Sequence, residues 1–146
     1  MTIGTLLFKH AAGSHNSTLN MALWVAQVIL AVIFAMSGVM KAFYPIEDLA
    51  VSMAWTNDLP ETLVRFIGTM ELAGAVGLLV PALLRFMPIL TAWAGFGLTT
   101  IMVLATGFHL LRGELTMAPI PFVIGILAAF VAWGRFDAEP IEPAKD

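Results

Sequence analysis

Four long runs almost free of charge divide this chain, and few environments accept that pattern. No charged residue stands between Lys9 and Lys41, between Arg85 and Arg112, or between Glu114 and Arg135, and the stretch from Arg65 to Arg85 contains one, Glu71. About 20 consecutive apolar residues cross a hydrocarbon core as a helix, which satisfies its own backbone hydrogen bonds where no water can. With 60% hydrophobic and 12% charged residues in 146, the chain also lacks the polar surface to cover a soluble globule. The spacing therefore predicts an all-α fold: a polytopic membrane four-helix bundle over 21–136, with helices at 21–43, 62–84, 87–111 and 116–134. Residues 1–20 and 137–146 read as tails, and the lipid bilayer is the expected surroundings.

The connections sharpen this picture. Pro81 and Pro88 bracket a link of a few residues around Arg85, so helices two and three should be antiparallel neighbours. The first loop is longer, and Ile46, Leu49, Ala50 and Met53 fall at helical spacing opposite Glu47 and Asp48, which predicts a short interfacial helix. Counting Lys9, Arg85, Arg135 and Lys145 against Lys41, Arg65 and Arg112 favours both termini inside.

Several chemistries are excluded or unsupported. A net charge of −3 without a basic run leaves no footprint for nucleic acid. The absence of cysteine excludes disulfides, iron–sulfur clusters and thiol redox chemistry within the chain, so electrons would have to travel on a bound cofactor or another subunit. Three histidines, two of them (His10 and His15) in the first tail, are too few for a metal centre, and the nine methionines read as packing. The tail before Asn20 lacks the apolar core of a cleavable signal. Asn16-Ser17-Thr18 matches a glycosylation sequon.

Antiparallel threading gathers the remaining polar residues. Glu71 lies about 13 Å below the end of helix two that faces the first loop; Lys41 closes helix one there, Arg65 opens helix two, and His109 and Arg112 close helix three. The opposite half is expected to hold only Arg85. On helix one, Trp24, Gln27, Ala31, Phe34, Ser37, Gly38 and Lys41 form one stripe at three-or-four-residue steps, and Gly68, Glu71, Gly74, Ala75 and Leu78 do so on helix two, with small residues that admit a close neighbour. A shared interior pocket is the expectation. No base stands three or four positions from Glu71 on its own helix, so the acid must be neutral or meet a cation from an adjacent helix, Lys41 or His109. Either Glu71 and Lys41 are a structural staple, or Glu71 and His109 are a proton-exchanging pair in a proton, quinone or substrate site, with Lys41, Arg65, Gln27, Ser37 and Arg112 around the ligand. Lys41, Arg65 and Arg112 have a structural reading too, as side chains snorkelling to the headgroups, and Gln27 as interhelical glue.

The segments Ala35-Met36-Ser37-Gly38-Val39-Met40-Lys41, Leu63-Val64-Arg65-Phe66-Ile67-Gly68-Thr69-Met70-Glu71-Leu72-Ala73-Gly74-Ala75, Phe108-His109-Leu110-Leu111-Arg112-Gly113-Glu114 and Trp133-Gly134-Arg135-Phe136, in this order and spacing, make the chain resemble the DoxX-like membrane proteins. The resemblance implies a small four-span protein of the bacterial cytoplasmic (inner) membrane. It also implies a link to redox: related DoxX proteins include a subunit of quinone-linked thiosulfate oxidation and partners of oxidative-stress enzymes. The expected function is a redox-associated accessory subunit binding a quinone or other lipophilic molecule around Glu71, with an oxidoreductase partner and no covalent cofactor. In it Glu71 exchanges a proton or accepts a hydrogen bond, His109 relays and Lys41 tunes the acid. The alternatives are a proton-coupled transporter subunit, which would need a homo-oligomer, and a stand-alone isomerase-type enzyme using Glu71 and His109. Pro119 and Pro121 depart from the family pattern at the entrance to helix four.

Overall fold

The computed structural model describes residues 16–144. Four helical stretches long and apolar enough to span a membrane run up and down in sequence: α1 (Ser17–Phe43), α3 (Glu61–Leu84), α4 (Ile89–Leu111) and a fourth, Pro119–Ala138, made of α5 (Pro119–Trp133) and the wider turn after it; a short α2 (Ile46–Ser52) lies in the first loop. No strand occurs among the described residues, and the architecture is an all-α four-helix bundle. α1 packs chiefly on α3 and α4 on α5, with α3 and α4 closing the central seam.

Local chemistry explains the ends. α1 begins four residues before the expected start at 21, because the Asn16 side chain accepts the Leu19 N–H at 3.1 Å, the usual role of asparagine at a helix N-cap. α3 ends where Arg85 takes a left-handed conformation with φ 52°, reversing the chain into Pro88 and α4. Pro119 occupies the first turn of α5, where a missing N–H does no harm, so the paired prolines start that helix without breaking it. After α5 a wider turn, Gly134–Ala138, is closed by the Glu139 N–H on the Gly134 carbonyl at 2.7 Å. The segment that follows, expected to be a tail, folds back on the bundle: Glu139 is buried and the Ala144 N–H donates to the Arg85 carbonyl at 3.1 Å.

The core lies midway along the bundle, where Leu30, Phe34, Leu78, Leu98, Met102 and Val131 interlock. Polar groups are sorted to either side of this apolar layer. At the end facing the first loop, hereafter the loop face, α1 and α3 cross closely: a Cβ built on Gly68 would stand 2.7 Å from the Ala42 nitrogen and 2.9 Å from the Gly38 carbonyl oxygen. Only glycine allows that approach, and it places Lys41 against the α3 turn that carries Glu71.

Candidate functional site: a buried ion pair between α1 and α3

Helical Cα–Cβ bonds tilt towards the helix N-terminus. In antiparallel α1 and α3 this rule sends Lys41 down from the loop face and Glu71 up to meet it. The Lys41 Nζ lies 2.6 Å from Glu71 Oε1 and donates to Ser37 Oγ at 2.8 Å, one turn back on its own helix. Its remaining side faces the indole of Trp55, 5.6 Å from the ring centroid. Lys41 is 7% and Glu71 1% exposed, so the pair is desolvated on all sides. Glu71 Oε2 is buried with no hydrogen-bond partner among the described residues. A carboxylate oxygen left bare inside a protein loses about 1–3 kcal/mol relative to a satisfied one; here it is an acceptor held ready beside a cation.

The residues expected to line this site divide three ways. Ser37 touches the pair directly. Arg65 is next to it but does a different job, donating to the carbonyls of Lys41 at 2.8 Å and Tyr44 at 2.6 Å. Those are orphan acceptors at the end of α1, and Glu61, one turn earlier on α3, holds the guanidinium at 2.9 Å. Arg65 thus caps α1 and fixes Lys41 in position.

His109 and Arg112 form a separate cluster at the rim. Gly113, with φ 75°, ends α4 in a Schellman turn in which Gly113 and Glu114 N–H groups donate to the Leu110 and His109 carbonyls at 3.0 and 2.9 Å. The reversal swings Glu114 back over the helix end. Its two oxygens take His109 Nδ1 at 2.5 Å and Arg112 Nε at 2.9 Å, and these bonds, His109 first, hold the Glu114 carboxyl below its ordinary value of 4.5. Arg112 also pairs with Asp58 in the first loop. Among the described residues no hydrogen bond or ion pair joins His109 to Glu71, so the cation that meets the acid is Lys41. Sequence reasoning missed Glu114, although a glycine directly after an apolar helical run is the signal that the next residue folds back.

Gln27 belongs to a second polar centre beyond the core, not to the Glu71 site. Its Nε2 donates to the Leu78 carbonyl at 2.8 Å, and its Oε1 accepts from Arg135 Nε at 2.7 Å. Arg135, 3% exposed, also donates to Asn20 Oδ1 at 2.7 Å and the Glu139 carbonyl at 2.9 Å, with Trp24 under its guanidinium at 5.4 Å. The half expected to hold Arg85 alone therefore has a buried arginine, which points up into the bundle by the same tilt rule that brings Lys41 down. Arg85 itself is exposed.

Two surface clefts accompany these centres. One, of about 270 Å³, lies between the α3–α4 link and residues 140–143; the other, of about 520 Å³, is an apolar groove between α1 and α5. Neither is lined by Glu71 or Lys41. No group of three or more metal-ligating side chains occurs among the described residues.

The profile of the DoxX-like family matches residues 25–131, from the first turns of α1 through most of α5. The chain belongs to the DoxX-like family. Family membership and four apolar spans together make this DoxX-like chain a multi-pass membrane protein. No curated protein and no solved structure matches it.

Proposed function

We propose that this DoxX-like protein is a redox-associated accessory subunit of the bacterial inner membrane, with both termini inside, and that it binds a quinone or another lipophilic small molecule at the Lys41–Glu71 pair. The observation that carries this reading is the bare Oε2 of Glu71 beside a Lys41 ammonium. An acceptor and a donor, side by side in an apolar surround, suit a molecule that alternates between hydroxyl and carbonyl: the hydroxyl form donates to Oε2, the carbonyl form accepts from Nζ. In this reading Ser37 orients Lys41, Arg65 positions it through the backbone, and His109, Glu114 and Arg112 organise the rim. An oxidoreductase subunit supplies or takes the electrons.

Passage through the bundle has less support. The layer of Leu30, Phe34, Leu78, Leu98 and Met102 separates the Glu71 centre from the Gln27–Arg135 centre, and a site reached from one face favours binding over transport. Binding is tested by titrating purified protein with a short-chain ubiquinone analogue and following tryptophan quenching, with mass spectrometry of small molecules retained after gentle purification. Saturable quenching that weakens at least tenfold in Glu71→Gln is expected; equal affinity in that variant, or no saturable binding by the native chain, overturns the reading.

A further inference from the structure

A site whose acid is 1% exposed needs an entrance, and three of its sides are closed by the bundle. α1 and α3 meet backbone to backbone at Gly38 and Gly68, the core layer fills the space below, and Arg65 is tied across the end of α1. The fourth side is the roof. It is made by the turn Ala54–Asp58, which follows α2 and carries Trp55. The Trp55 ring stands over Lys41 Nζ and meets Phe108 of α4 edge to face at 6.4 Å.

What holds the roof down is unlike what holds the bundle together. α2 and the turn pack on each other more than on the spanning helices. Non-helical Met53 on one side (φ −131°, ψ 70°) and Leu59-Pro60 on the other separate the turn from its neighbours. Its charged tie to α4 is the Asp58–Arg112 pair, in which the side chains remain 52% and 25% exposed. Glu114 braces Arg112 from behind, and the guanidinium lies 5.6 Å from the Phe108 ring. Exposed ion pairs are weak, so this tie closes the roof without locking it.

We propose that the Ala54–Asp58 turn is a hinged roof over the Lys41–Glu71 pair, with Trp55 as the movable wall of a loop-face entrance between the turn and the end of α4, and with Asp58–Arg112 as its latch. The inference rests on the reading of that pair as a ligand site only for its purpose; the movement itself is open to measurement with no ligand present. Trp55 also sets what passes, because a molecule entering here slides between an indole and a phenyl ring before it reaches the ammonium, a path that suits flat, unsaturated rings.

The absence of cysteine from the chain makes the test clean. Ser37→Cys places one thiol beside Lys41, and its rate of modification by a charged methanethiosulfonate reagent in detergent micelles reports opening of the roof. Slow modification is expected with the native latch, about fivefold faster modification with Arg112→Ala or Asp58→Ala, as for an exposed pair at the upper end of its usual strength, and about tenfold or more with Trp55→Ala, which removes both ring contacts. Asp58→Glu, which keeps the charge, should restore the slow rate. Leu98→Cys in the core is the control and should stay unmodified in every latch variant. Unchanged Ser37→Cys rates in Arg112→Ala and Trp55→Ala overturn the roof, and so does a parallel rise at Leu98→Cys, which would mean that the whole bundle loosens. If the latch variants open while the ubiquinone analogue still fails to bind, the ligand reading falls and the roof stands. If the analogue binds while labelling ignores the latch, the roof falls and the ligand reading stands.

Discussion

Replacing Lys41 by methionine keeps the length and most of the volume of the side chain while removing its charge, which isolates the electrostatic part of the buried pair. Lys41 and Glu71 are 7% and 1% exposed, and Oε1 takes its hydrogen bond from Nζ at 2.6 Å while Oε2 has no partner among the described residues. In Lys41→Met the carboxylate therefore keeps neither a countercharge nor the donor seen here. Removing one member of a buried ion pair costs about 3–5 kcal/mol, and with Glu71 only 1% exposed no bulk water takes the place of the ammonium. At about 1.4 kcal/mol per tenfold change, the unfolding equilibrium should move by two to three decades or more. Changing both residues, Lys41→Met with Glu71→Met, removes the desolvated charges together and should be close to neutral or stabilising by about 1–4 kcal/mol. The assay is reversible unfolding in mixed micelles with increasing sodium dodecyl sulfate, followed by circular dichroism, for the two single variants and the double. A Lys41→Met cost below about 1 kcal/mol, the figure for a solvated pair, with additive single changes, would mean that the two groups do not share a buried environment.

Three further outcomes follow from the structure. Gly68→Ala would bring a methyl group to 2.7 Å from the Ala42 nitrogen and the Lys41 Cβ, and since backbone cannot yield as a side-chain tip does, the variant should lose about 1–3 kcal/mol in the same titration. Gly107→Ala, with nothing within 4 Å, should be neutral or gain about 0.5–1 kcal/mol of helix preference. At the rim, the hydrogen bonds from His109 and Arg112 lower the Glu114 carboxyl from 4.5. A carboxyl lowered in the folded state stabilises the fold above its unfolded value and loses that contribution as pH falls through the lowered one. The thermal midpoints of native protein and Glu114→Gln, measured from pH 7 downwards, should thus differ near neutrality and converge below about pH 4.5.

How much of this was legible in the sequence can be judged residue by residue. Charge spacing alone announces four spans and the depth of Glu71, because a hydrocarbon core tolerates few other arrangements. Lys41 was readable as a partner of Glu71, since antiparallel threading puts both in one half. His109 shares that half and was equally eligible. It goes to Glu114 because the Schellman turn at Gly113 reverses the chain within two residues, a local event that helical periodicity does not encode. Gln27 lies on the same stripe of α1 as Ser37 and Lys41, yet ten residues along a helix are about 15 Å, and that distance carries it past the core to Arg135.

Periodicity and charge, then, determine which residues face inward and at what height. Which of them touch is decided by the rotation of each helix about its axis, by the close crossing that Gly38 and Gly68 permit, and by turns such as Ala54–Asp58 that fold over the end of the bundle. These depend on contacts between segments far apart in the chain, each worth little until the others are in place, and only the assembled tertiary structure brings them together.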